Sequence, residues 1–121
     1  MSSTQRSADG DAAEANEGAC PVVRAIDVIG SQWRLVVLYD LQDAEDPSAE
    51  KRFNELKRST GASSRTLSRV LDDLEDAGLV NRRVEEKPIA TYYGLSEHGL
   101  ALCPVFTELE RWTEKWLDGA D

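Results

Sequence analysis

The stretch from Arg52 to Leu95 constrains the fold more than any other part of the 121-residue chain. Arg52-Phe53-Asn54-Glu55-Leu56-Lys57-Arg58-Ser59-Thr60 reads as a short helix ended by Gly61. Either Ser63 or Ser64 then caps a second helix, in which Leu67, Val70, Leu71 and Leu74 recur at i, i+3, i+4 and i+7. That spacing puts all four on one face of an amphipathic helix. Gly78 ends it. Val80, Arg82 and Val84 then alternate with Asn81, Arg83 and Glu85, as in a half-buried strand. Glu86-Lys87-Pro88 supplies a turn, and Ala90 to Leu95 a return strand. Helix, short turn, amphipathic helix and hairpin in this order predict a winged helix-turn-helix, mainly α with a small β-hairpin. In that arrangement the first helix braces the second, whose early residues lie at base edges in the major groove.

The face of the second helix opposite its leucines holds Ser64, Arg65, Ser68 and Arg69, with Ser63 and Thr66 at its start. Small hydroxyls allow close approach, and arginines reach guanine edges or phosphates. The charge distribution supports this reading, although the total does not. The net charge is −9, and phosphate contacts drive nucleic-acid binding. Yet residues 51–69 hold Lys51, Arg52, Lys57, Arg58, Arg65 and Arg69 against one acid, Glu55, a local balance of +5. At the wing, Arg83 and Lys87 are candidate phosphate contacts, but Glu85 and Glu86 stand among them. Ten arginines against four lysines, with acids spread along the chain, fit a halophilic archaeal cytoplasm. There, high net charge sustains solubility while salt screens repulsion.

The remaining segments frame this unit. Residues 1–18 are small, polar and acidic, and predict a disordered tail ahead of a single domain at 19–118. Pro21 suits the first turn of a helix in which Val22, Ile26 and Ile29 share a face and which Gly30 stops. Ser31 caps a second helix, apolar over most of its girth through Trp33, Leu35, Val36, Val37, Leu38 and Leu41, and therefore central to the core. Ser96 caps a long final helix from about Glu97 to Leu117, in which Pro104 marks a kink or the start of the regular part. Its stripe of Leu109, Trp112, Trp116 and Leu117, with Val22, Ile26 and Ile29, exceeds what so small a domain can cover. A patch of that kind predicts a homodimer interface.

Several pieces together resemble the HxlR-type transcriptional regulators. They are Cys20-Pro21-Val22, Ile29-Gly30-Ser31-Gln32-Trp33, Arg52-Phe53-Asn54-Glu55-Leu56, the helix from Ser63 to Leu74, Asp76-Ala77-Gly78-Leu79-Val80 and Tyr93-Gly94-Leu95-Ser96-Glu97-His98-Gly99. The resemblance spans about residues 20–117. It implies a winged-helix dimer joined through its first and last helices and bound to double-stranded DNA at pseudo-palindromic operators. Ser31 and Gln32 depart from the family's usual glycine and lysine, and the wing is less basic than is usual there. Some members sense oxidants or electrophiles through the cysteine of the matching Cys-Pro motif. Here that residue is Cys20, at a helix start where free N–H groups and Arg24 one turn on would favour the thiolate. The competing expectation is a cysteine that only packs.

Other chemistries find little footing. Two cysteines, Cys20 and Cys103, are no disulfide framework, and with the single His98 they lack any recognised metal-ligand spacing. No phosphate loop, nucleophile elbow or paired-carboxylate arrangement is present, so neither an enzyme nor a cofactor is expected. No apolar run has the length of a membrane helix and no charged-then-apolar leader precedes the domain, so a cytoplasmic location with no membrane partner is expected. The alternative to a DNA-binding regulator is a winged-helix module that contacts only proteins, which Asp72, Asp73, Glu85 and Glu86 would suit.

Overall fold

The computed structural model describes residues 20–42, 46 and 48–119. The tail expected at 1–18, and part of the acidic turn after Leu41, lie outside the described residues. The chain divides into two compact units, residues 1–31 and 32–121.

In the first unit, helix α1 runs Pro21–Ile29. Pro21 occupies its first turn, where a missing N–H removes no helical bond. The carbonyl of Cys20 accepts the Arg24 N–H at 3.1 Å and starts the ladder; the Gly30 N–H closes it on Ile26 O at 2.7 Å. Val22 and Ile26 are exposed, whereas Ile29 is buried.

The second unit begins with α2, Gln32–Leu41, which buries Val37, Leu38 and Leu41. A two-residue strand β1, Lys51–Arg52, leads directly into α3, Phe53–Thr60. After the turn comes α4, Ser64–Asp76, then strands β2, Val80–Glu86, and β3, Ile89–Leu95. The three strands form one antiparallel sheet in the order β1-β3-β2. Val80 pairs with Leu95 and Glu86 with Ile89. The edge strand β1 pairs Lys51 with Tyr93 and Arg52 with Tyr92. Helix α2 packs on α3, α4 and β3, the central position that its apolar girth predicts.

The helix-turn-helix corner follows from two local devices. Gly61 takes the left-handed conformation, φ +79°, and returns its N–H to Lys57 O at 3.0 Å, which ends α3. Ser63, not Ser64, caps α4, its Oγ accepting the Thr66 N–H at 3.1 Å. The four leucine-stripe positions of α4, Leu67, Val70, Leu71 and Leu74, are all buried, and α4 packs against α2 and β2.

The C-terminal region departs from the expected single helix. It breaks into α5, Glu97–Leu100, and α6, Cys103–Trp112, followed by a π-helical turn at Thr113–Leu117. Pro104 has no N–H to close on the Leu100 carbonyl, and its ring would clash there, so the helix restarts rather than kinks. At the other end, Asp118 N–H bonds Thr113 O at 2.9 Å, the wider ring of a π turn. Helix α5 is held close to the strands because residue 99 is glycine. A Cβ there would stand 2.3 Å from the Leu79 carbonyl oxygen. Tyr39 of α2 donates a hydrogen bond to Glu110 of α6 and meets Phe106 edge-on at 6.3 Å, fastening α6 to α2.

Leu74 sits with no exposed surface at the α4 end of this core. Leu74→Ala should lower the unfolding free energy by about 2–5 kcal/mol, measured by urea denaturation. A loss below about 1 kcal/mol would show that α4 is not seated on the core as described.

Candidate nucleic-acid interface

Burial of the leucine stripe decides which way the rest of α4 faces. Ser63, Ser64, Arg65, Ser68 and Arg69 are exposed, and Thr66 is half-buried with its amide given to the Ser63 cap. Arg65 and Arg69 stand one turn, roughly 6 Å, apart along the helix. Among the described residues neither has a carboxylate within ion-pair distance. The same holds for Arg52, Lys57 and Arg58 around α3. The acid within this cluster, Glu55, is turned back to accept the Arg52 N–H at 2.9 Å at the start of α3. The corner therefore presents guanidinium and ammonium groups that no carboxylate among the described residues neutralises.

Lys51, counted with this basic segment in the sequence, behaves differently. Its Nζ donates to Asp40 O at 2.8 Å and lies 3.3 Å from the Asp40 carboxylate. Ser59 donates to the same carboxylate at 2.6 Å. Asp40 thus ties the end of α2 to β1 and to α3. Arg34 of α2 reaches Asp73 of α4 at 3.3 Å and neutralises one acid on the later turns of that helix.

On the wing, the two sequence-predicted contacts separate. Lys87 is exposed at the hairpin tip. Arg83 is engaged: its guanidinium donates to Glu50 at 2.7 Å and to Glu85 at 2.8 Å, and lies 4.6 Å from the centre of the Tyr92 ring. The hydrogen bonds from Arg83 hold the Glu50 carboxyl below the ordinary carboxylate range. Arg82 faces Glu75 of α4 at 3.6 Å. Glu50 and Tyr92 escaped sequence reasoning. Tyr92 meets Arg83 through the β2–β3 register, whereas Glu50 is brought there by β1, and two residues carry no alternation by which a strand shows itself.

Cys20 is exposed immediately before α1. Hydrogen bonds from the Val23 and Val22 backbone N–H groups hold its thiol below the ordinary value. Those amides are the cause of the shift; the Arg24 guanidinium, expected to add to it, is not. Burial pushes the Cys103 thiol the other way. No cluster of three or more His, Cys, Asp or Glu suited to a metal ion occurs among the described residues. Nor is any helix among them long and apolar enough to cross a membrane. In the second unit Leu109, Trp112, Trp116 and Leu117 remain largely exposed, and Leu109 and Trp112 line an open apolar groove with Pro104 and Val105.

The profile of the HxlR-like helix-turn-helix family matches residues 28–121. The chain belongs to the HxlR-like family. The HTH-type transcriptional regulator YdeP of Bacillus subtilis is 36% identical over 104 residues, covering 84% of this chain and 77% of that protein. The reduced form of the transcriptional regulator YodB from B. subtilis superposes with a TM-score of 0.71 at 30% identity, covering 85% of this chain and 99% of that one. The redox regulator HypR in its reduced form superposes with a TM-score of 0.69 at 34% identity, covering 79% and 92%. This HxlR-like chain is thus a transcriptional regulator of winged-helix type, as its helix-turn-helix and hairpin predict.

Proposed function

We propose that the chain is a sequence-specific DNA-binding regulator that acts as a homodimer on a pseudo-palindromic operator. One observation carries the reading. Around the α3–α4 corner Arg52, Lys57, Arg58, Arg65 and Arg69 have no carboxylate partner among the described residues, although the chain as a whole is acidic. Such cations suit phosphate oxygens and base edges. In this reading α4 enters the major groove with Arg65 and Arg69 toward the bases, and Ser63, Ser64 and Ser68 permit close approach. Thr66 closes the cap that holds this first turn in shape. Lys87 reaches a neighbouring phosphate from the wing tip.

The homodimer is supported by exposed apolar surface. Val22 and Ile26 on α1, and Leu109, Trp112 and Trp116 toward the C-terminus, face solvent in the single chain, whereas Ile29 is already covered. A two-fold axis would place two copies of α4 about 34 Å apart, one turn of DNA. Redox control through Cys20 is supported by its exposure, its lowered thiol, and the likeness to the redox regulator HypR in its oxidized form and to diamide-treated YodB. A small oxidant or electrophile is the effector class this chemistry implies. Two thiolates would join across the two-fold axis, Cys20 to Cys20 or to Cys103, passing two electrons to the oxidant.

Arg65→Ala and Arg69→Ala should each weaken operator binding by about 1–3 kcal/mol in a mobility shift at stated salt. Unchanged affinity in both, with circular dichroism intact, would favour the protein-contact module instead. Light scattering at micromolar concentration should give twice the chain mass; a monomer contradicts the dimer. Hypochlorite or a quinone should change operator affinity and produce a non-reducing dimer band in wild type but not in Cys20→Ser. Equal responses of the two proteins would make Cys20 a packing residue.

A further inference from the structure

The sheet's register places Arg52, Tyr92 and Arg83 in one row, because Arg52 and Arg83 both pair with Tyr92 from opposite sides. Alternation along strands turns all three side chains to the same face. The ring of Tyr92 is flanked by both guanidiniums, Arg83 at 4.6 Å and Arg52 at 5.9 Å from its centre. Two arginines around a half-buried tyrosine would form a good phosphate seat at the base of the wing. One of them is taken. Glu50, on the segment entering β1, receives Arg83 Nε at 3.0 Å and Nη2 at 2.7 Å, while Glu85 receives Nη1 at 2.8 Å.

Glu50 reaches Arg83 by crossing β3, and Gly94 leaves the path open. A Cβ on residue 94 would stand 3.2 Å from Glu50 Cγ and 3.6 Å from Ala49 O. A phosphate that displaced Glu50 would then lie beside two unneutralised carboxylates, Glu50 and Glu85. Displacement therefore carries a repulsion that Arg65 and Arg69 do not face. We infer that Glu50 is an autoinhibitory residue for DNA binding, latching Arg83 onto the sheet so that the wing base adds no phosphate contact and the affinity resides in the α3–α4 corner. This inference rests on the DNA-binding reading above.

The test uses the full chain, its upstream DNA and a duplex of random sequence, titrated across a range of salt. Glu50→Gln should raise affinity for both DNAs by about five- to ten-fold and steepen the slope of log K against log salt by about 0.9, one added phosphate contact. Arg83→Ala should leave the wild-type slope unchanged and should abolish the gain when combined with Glu50→Gln. Glu86→Gln removes the same charge without touching Arg83, and should leave the slope unchanged. Should Glu50→Gln lose the native circular dichroism, Glu50→Asp, one methylene shorter, is read in its place with the same expected direction. The latch is overturned if Arg83→Ala alone weakens binding and flattens the slope, if the double variant keeps the gain, or if Glu50→Gln binds as the wild type does. A folded wild type that binds neither DNA overturns the DNA-binding reading and the latch with it. Wild-type binding with no response to Glu50→Gln overturns the latch alone.

Discussion

Four apolar side chains on α4 fix nearly everything that matters at the surface. Leu67, Val70, Leu71 and Leu74 are buried against α2 and the sheet, at roughly 25 cal/mol for each Å² of apolar area removed from water. A helix held along that stripe has one orientation. Its other face, with Ser64, Arg65, Ser68 and Arg69, must then look outward. The polar ties around it are fewer and more local. Asp40 gathers Lys51 and Ser59, and Arg34 meets Asp73, so that α2 serves as the bracket from which both helices of the corner are positioned.

Charge is distributed by the same architecture. Basic residues outside the α3–α4 corner are largely drawn into pairs: Lys51 with Asp40, Arg82 with Glu75, Arg83 with Glu50 and Glu85, Arg111 with Glu108. Such exposed pairs contribute little stability individually, on the order of 0–1 kcal/mol. Their consequence is electrostatic: they cancel positive potential where they occur. Among the described residues the corner keeps its cations without carboxylate partners, so an acidic chain retains a localised positive face. A polyanion approaching it meets repulsion from most directions and attraction at that corner, which is a physical basis for orientation as well as affinity.

The sequence was most legible where periodicity and punctuation coincide. The α4 stripe, the Gly61 turn, the serine cap and the β2–β3 hairpin each follow from spacing plus a residue type with a specific backbone role. Legibility failed where structure depends on a partner far along the chain. Strand β1 is only two residues long and exists because β3 offers it an edge. The bond between Arg83 and Glu50 follows from that pairing, and Glu50 reads in sequence as one more acid in a turn. The C-terminal helix failed differently. Its apolar stripe runs unbroken from Leu102 to Leu117 and reads as one helix from Glu97, whereas Pro104, read as a kink or the start of the regular part, opens a separate helix.

The central claim is that α4 and the start of α3 form the surface that meets DNA. Amide chemical shifts of the isotopically labelled full chain, followed as operator duplex is added at fixed salt, test it most directly. The account predicts that the largest changes fall on Ser63 to Arg69 and on Arg52 to Arg58, with β2 around Arg83 nearly unmoved. Changes centred instead on α6 and the turn bearing Trp116, with α4 silent, would contradict it.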